Sequence, residues 1–207
     1  QRMHNKLLVV DGVIGVVGGR NYQDDYYDWD AAYNFRDRDL LITGPVARDM
    51  DANFEAFWQS PLSIPAERLG DVARYLHTQG VPSLPHHPYR KPERVQALLA
   101  QVADAAVIDA RFVAPALSVQ GVQFIGDLPS KHVQAAGEAT RAGRTLQDLI
   151  ASAREEVLLQ TPYLVLSKPA QHLFRTLHRQ PDAPRVVVST NSLASTDAFI
   201  AYAISHK

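Results

Sequence analysis

Two apolar, β-branched runs open the chain, Leu7 to Val10 and Val13 to Val17, separated by Asp11-Gly12. An Asp-Gly pair between such runs predicts a tight β-hairpin. With Asp11 and Gly12 at the centre of a two-residue turn, Val10 faces Val13, Leu8 faces Gly15, Lys6 faces Val17 and His4 faces Gly19. Gly18-Gly19-Arg20-Asn21 is turn-rich, and an acidic, aromatic loop follows from Asp24 to Asp30. Asp37 to Thr43 reads as a strand closed by Gly44-Pro45. Val46 to Ser60 reads as an amphipathic helix, with Val46, Met50, Phe54 and Phe57 at helical spacing. Trp58, Phe54 and Phe57 read as core packing of that helix.

The pattern changes after residue 60. Pro61, Pro65, Pro82, Pro85, Pro88 and Pro92 mark a loop-rich connector around one short helix, Ala66 to Gln79. Glu93 to Ala105 is predicted helical and Val119 to Ile125 a strand. Thr145-Leu146-Gln147-Asp148 has the form of a capping box, and its helix places Leu146, Leu149, Ile150 and Ala153 on one face. Then come a strand over Val157 to Leu166 interrupted by Pro162, a helix over Ala170 to Arg179, a strand over Arg185 to Thr190, and a helix from Thr196 onward. Strands alternating with helices predict an α/β fold, a mixed sheet sandwiched by helices. No short internal repeat is visible.

Composition narrows this picture only modestly. The chain has 207 residues, 46% hydrophobic, with a formal net charge of −1. There is no basic excess of the kind a duplex-binding surface needs, so no nucleic-acid partner is expected. There is no cysteine, which excludes disulfides and thiolate metal sites. No run approaches the ~18 apolar residues of a membrane span, and Gln1-Arg2-Met3-His4 is not a secretory signal. The first residues lead straight into a reactive-looking His, and Ala203-Ile204-Ser205-His206-Lys207 stops inside a predicted helix. The expectation is an internal piece of a longer protein.

The chemistry sits in the hairpin. Side chains alternate faces along a strand, so His4 and Lys6 share a face. In the register above, Asn21 joins them at the open end of the hairpin. A neutral imidazole, a fixed cation and an amide donor beside Gly18 and Gly19, which leave space for a ligand, suit a tetrahedral anion. Asp11 lies roughly 16 Å from Lys6 along the strand at ~3.3 Å per residue. It is therefore expected to shape the turn and not to touch the same phosphate.

His4-x-Lys6-x4-Asp11-x6-Gly18-Gly19-x-Asn21 resembles the signature of the phospholipase D superfamily. Asp24-Asp25-Tyr26 and Arg36-Asp37-Arg38-Asp39-Leu40 through Gly44-Pro45 look like the stretch that follows this motif in bacterial phospholipases D and cardiolipin synthases. Gln160-Thr161-Pro162-Tyr163 and Thr190 to Asp197 are similar to the cardiolipin synthase C group. The resemblance is strongest over residues 2 to 60. It implies a phospholipase D-like half over 1–60, a Pro-rich connector with helices over 61–118, and the start of a second half over 119–207.

The resemblance also implies a two-step reaction. One His attacks phosphorus and forms a phosphohistidine, and a second His protonates the leaving alcohol. His4, Lys6, Asp11, Asn21 and Asp37 are the implied catalytic residues. His4, Lys6, Gly19 and Asn21 would hold the phosphate, with Lys6 and Asn21 on its equatorial oxygens. Asp37 is the implied partner of the far His4 nitrogen, with Asp39 two residues on along the same face. Neither cofactor nor metal is implied. Only one motif is present, since His206 and Lys207 are adjacent. The second is expected in the same full-length chain, beyond Lys207, so these residues would not turn over alone. Pairing of two one-motif chains is the alternative.

The implied function is phosphatidyl transfer between phospholipids at a bacterial inner membrane surface, peripheral or anchored by segments outside these residues. Phospholipase D-type hydrolysis, a nuclease, and an inactive membrane- or phosphate-binding scaffold are the alternatives. Tyr163 and Asn191 are candidates for the cleft between halves, with a structural role the equal alternative. Asp24, Asp25, Asp28 and Asp30 read as a solvated loop and not a cation site, because they lack calcium-loop spacing. His86-His87 reads as surface, and Arg141, Arg144 and Arg154 as a solvated helix face.

Overall fold

The computed structural model describes residues 4–29, 32–83, 88–132 and 140–196, together with Ala198, Ile200 and Ala203. The chain is α/β and divides into two units, Gln1–Phe124 and Ile125–Lys207. Asp30, His86, His87, Asp197, His206 and Lys207, all named above, lie outside the described residues.

In the first unit, β1 (Leu7–Val10), β2 (Ile14–Gly18) and β3 (Asp39–Thr43) form an antiparallel sheet in that order. Asp11 and Gly12 turn the chain with positive φ of 53° and 64°, the conformation a hairpin turn of this hand requires. The Val13 amide donates to the Val10 carbonyl at 3.0 Å. The pairing beyond the turn differs from the expected register. Val10 faces Ile14, Val9 faces Gly15, Leu8 faces Val16 and Leu7 faces Val17. The loop thus holds three residues, Asp11 to Val13, and every partner moves by one. A one-residue slip exchanges the faces of a strand, so the ladder does not carry Asn21 onto the face of His4 and Lys6.

Gly44, at φ 97°, turns β3 into helix α1 (Pro45–Trp58), and Pro45 suits the first helical turn, where no backbone donor is needed. The buried stripe of α1 is Val46, Ala47, Met50 and Asn53. Phe54 and Trp58 stack on each other at 5.9 Å and are 44% and 67% exposed, so they are not the core packing expected. Gly15 explains the rotation. A Cβ there would collide with the Met50 thioether, so the glycine admits Met50, which is fully buried. Leu7, Val9, Gly15, Val17, Leu40 and Ile42 share this α1-facing side by the two registers. On the other side Leu8, Val10, Ile14 and Leu41 are exposed; among the described residues of this unit, a helix packs on one face only.

The connector contains α2 (Gly70–Gln79), preceded by a 3-10 turn at Ala66–Arg68. Helices α3 (Pro92–Ala103) and α4 (Ala105–Ile108) follow, with Asp104 capping α4 through the Ala106 amide at 2.9 Å. Val119 to Ile125 is not a strand. Its Gly121 has φ 71°, which interrupts an extended run.

The second unit begins with α5 (Arg141–Ala151). Its cap is Thr140, whose hydroxyl accepts from the Gly143 amide at 3.1 Å, and not the expected box at Thr145. The Thr145 hydroxyl donates back to the Arg141 carbonyl at 3.0 Å, inside the helix. Arg141, Arg144 and Arg154 are exposed, and so are Leu146 and Leu149. Strands β4 (Glu156–Gln160) and β5 (Arg185–Ser189) are parallel, joined through α6 (Lys168–His178), which buries Leu177. Parallel strands require such a crossover. Strand β4 ends before Pro162, which has no amide to extend the ladder.

Candidate functional site

His4 and Lys6 precede β1 and touch each other. The Lys6 ammonium lies 3.0 Å from His4 Nδ1 and 3.3 Å from Nε2, and it donates to the His4 carbonyl at 2.9 Å. An imidazole nitrogen that accepts from an ammonium carries no proton, which is the form a nucleophile needs. His4 is exposed and Lys6 half-buried, so both remain open to a ligand from solvent. The ammonium has three donors and lies within reach of both ring nitrogens and the carbonyl of His4.

Asp11 sits at the far end of the hairpin in left-handed backbone, where aspartate is better tolerated than most residues. The turn lies beside α1, where a Cβ on Gly12 would stand 3.8 Å from an Asp51 carboxylate oxygen.

Asn21 stands in the loop after β2. Its side-chain amide donates to the Tyr26 hydroxyl at 2.7 Å. The space at Gly18 and Gly19, expected to admit a ligand, is taken by side chains of the protein. A Cβ on Gly18 would strike the Asp39 carboxylate, and one on Gly19 the Asp37 carboxylate, whose Cγ is 3.0 Å away. The glycine pair therefore lets two acidic side chains close on the backbone beside Asn21. Among the described residues, the hydrogen bonds of His4 run to Lys6 and none to Asp37.

The sequence reading missed Arg20. Its Nε pairs with the Asp39 carboxylate, one terminal nitrogen donates to the Tyr26 carbonyl, and the other donates to the Asp37 carbonyl at 3.3 Å. Its guanidinium lies 5.8 Å from the centre of the Tyr27 ring. The hydrogen bond with Asp39 raises the Arg20 pKa, against an opposing effect of burial, and the charges of Asp39, Asp37 and Asp28 add to the rise. An arginine beside an anion site looks like an anion ligand, but this fork is spent on the protein. The signal in the sequence was its place between the glycines and Asn21, with acids downstream to receive it.

The acidic, aromatic loop is held from the connector. Arg94 donates to the Tyr27 carbonyl at 2.8 Å and to the Asp28 carbonyl, and Lys91 donates to the Trp29 carbonyl. Both cations approach the Trp29 ring, at 5.1 and 5.8 Å, and Arg90 pairs with Asp24 at 3.7 Å. Asp24 thus faces a cation of the chain itself, and the backbone of Tyr27 to Trp29 is held by two more.

In the second unit, Tyr163 and Asn191 follow the C-terminal ends of β4 and β5. The two loops are tied by the Thr161 amide donating to the Ser189 carbonyl at 3.0 Å and the Thr190 hydroxyl donating to the Pro162 carbonyl at 3.3 Å. Carboxyl ends of parallel strands are the usual ligand edge of α/β sheets.

Comparison with known proteins gives sequence relatives. The chain is 26% identical over 212 residues to cardiolipin synthase C of Escherichia coli (strain K12), covering 98% of the chain and 42% of that protein. It is 28% identical over 203 residues to an uncharacterised protein of Helicobacter pylori (strain J99 / ATCC 700824), covering 98% of the chain and 39% of that protein. A 58-residue part is 40% identical to the cardiolipin synthase of Alkalihalophilus pseudofirmus. The chain is cardiolipin synthase-like in sequence and spans about two fifths of the length of the first two relatives. No family model and no solved structure matches. No described helix is long and apolar enough to cross a membrane.

Proposed function

We propose that these residues carry one half of a phosphatidyl-transfer site, in a protein that makes cardiolipin from other phospholipids through a phosphohistidine. The observation that carries the reading is the contact of Lys6 with the His4 imidazole, at the start of His4-x-Lys6-x4-Asp11-x6-Gly18-Gly19-x-Asn21. The cardiolipin synthases among the relatives support the substrate class.

In this reading a His4 nitrogen attacks the donor's phosphorus as the bond to the leaving alcohol breaks. A second imidazole gives that alcohol its proton. The acceptor lipid's hydroxyl then attacks the phosphohistidine, passing its proton to the second imidazole and releasing His4. Lys6 and Asn21 donate to the equatorial oxygens as charge grows there. Asp37 supports the His4 imidazolium once substrate draws Lys6 onto phosphate. The second imidazole comes from another copy of the pattern in the full-length chain, for which the greater length of the relatives leaves room. Membrane association is through the lipid substrates and segments outside these residues.

The test uses the full-length protein with vesicles of phosphatidylglycerol and phosphatidylethanolamine. Cardiolipin should form, and His4→Ala should reduce it to background. Phosphatidic acid alone would replace transfer by hydrolysis, and cleavage of DNA with lipid untouched would remove the lipid reading.

A further inference from the structure

Asn21 is a donor of the proposed phosphate site whose side chain is fixed by a residue outside that site, Tyr26. Its amide nitrogen carries two hydrogens. One is given to the Tyr26 hydroxyl at 2.7 Å, which leaves the second for an anion. The hydroxyl can accept from the amide nitrogen or donate to the amide oxygen, so the contact fixes the place of the Asn21 amide in either orientation.

Tyr26 is itself held on three sides. Its ring packs on Phe35 with centroids 4.7 Å apart, and Phe35 is anchored through its amide to the Asp25 carbonyl at 2.8 Å. Its own amide donates to the Gln23 carbonyl at 3.0 Å. Its carbonyl receives the Arg20 guanidinium, which is fastened in turn to Asp39 and to the Asp37 carbonyl. The next three residues, Tyr27 to Trp29, are gripped by Arg94 and Lys91. The hydroxyl that Asn21 meets is therefore at a defined place before any ligand arrives. A donor set in advance spends no reorganisation when charge develops.

We propose that Tyr26 is a positioning residue for Asn21, held in place by Arg20, and that it holds the Asn21 amide where it can donate to the phosphate. This rests on the proposed role of Asn21 in phosphate binding.

The experiment is a double-mutant cycle in the full-length protein with Tyr26→Phe, Asn21→Ala and the pair, run beside His4→Ala. Cardiolipin formation on phosphatidylglycerol vesicles gives kcat and KM, and binding of inorganic phosphate is measured in parallel. Tyr26→Phe keeps the ring and its packing on Phe35 and removes only the hydroxyl. It should lower kcat and weaken phosphate binding about threefold to tenfold, the worth of one hydrogen bond, with lipid KM and melting temperature unchanged. In the Asn21→Ala background the same change should do nothing, because a residue that acts only through Asn21 has nothing left to act on. Equal effects in both backgrounds, or wild-type values for Tyr26→Phe, overturn the positioning role while leaving the site intact. Product formation that survives His4→Ala overturns the underlying reading instead, and the phosphate cycle still decides whether Tyr26 and Asn21 act together.

Discussion

The carboxylate of Asp37 occupies the space that a side chain on Gly19 would fill. Gly19 does not have a positive φ, so the demand for glycine there is spatial and not conformational. Gly18 stands in the same relation to Asp39, its partner across the sheet. The glycine pair and the two acids are thus one packing unit beside Asn21. Gly19→Ala should push Asp37 away and cost about 1–3 kcal/mol, the usual range for overpacking. Thermal unfolding and phosphodiester turnover both report it, and a variant indistinguishable from wild type in both would refute the assignment.

Arg20 ties the same acids to the following loop. The paired side chains of Arg20 and Asp39 are each 28% exposed, so solvent screening limits the ion pair to about 1 kcal/mol. Asp39→Asn should lower stability by that amount in chemical denaturation. Arg20→Lys should lose more than the ion pair, since an ammonium cannot span Asp39 and two carbonyls as the fork does. The sign with pH follows from the raised Arg20 pKa. A raised value means stability fully present below the ordinary arginine pKa and lost only as pH rises past the raised one. Titration between pH 6 and 9, roughly the span in which His and not Arg changes charge, should therefore leave the Arg20 contribution untouched. A stability step there that disappears with Arg20→Lys would contradict this.

Met50 and Gly15 set how α1 lies on the sheet. The thioether is fully buried in the space the glycine leaves. Met50→Ala should cost about 2–5 kcal/mol, as for other large-to-small core changes. Gly15→Ala should cost about 1–3 kcal/mol. The two residues fill one space, so the double variant should lose less than the sum of the two single losses. Strict additivity by urea denaturation would show that they do not share it.

Asp11 offers a clean separation of turn from chemistry. Asn tolerates its left-handed backbone and Val does not. Asp11→Asn should keep stability and turnover near wild type, while Asp11→Val should cost about 1–2 kcal/mol. A collapse of kcat in Asp11→Asn with unchanged stability would show that the carboxylate does more than shape the turn.

The sequence by itself determined several features whose cause is local. The β-branched runs around Asp11-Gly12 form a hairpin, because an Asp-Gly pair suits its positive φ values. Pro45 and Ser167 began helices near where the apolar spacing placed them. The typed spacing from His4 to Asn21 marked the candidate chemistry. Other features depended on residues distant in the chain. Whether the hairpin loop held two residues or three was settled by pairing across the sheet. Which face of α1 went inward was settled by the vacancy at Gly15, not by its aromatic residues. The use of Gly18 and Gly19 to admit Asp39 and Asp37, and of Arg20 to bind them to Tyr26, joins positions about twenty apart. Residue spacing records the repeat of one element; a close approach between two elements leaves no periodic trace, and only the folded chain brings it about.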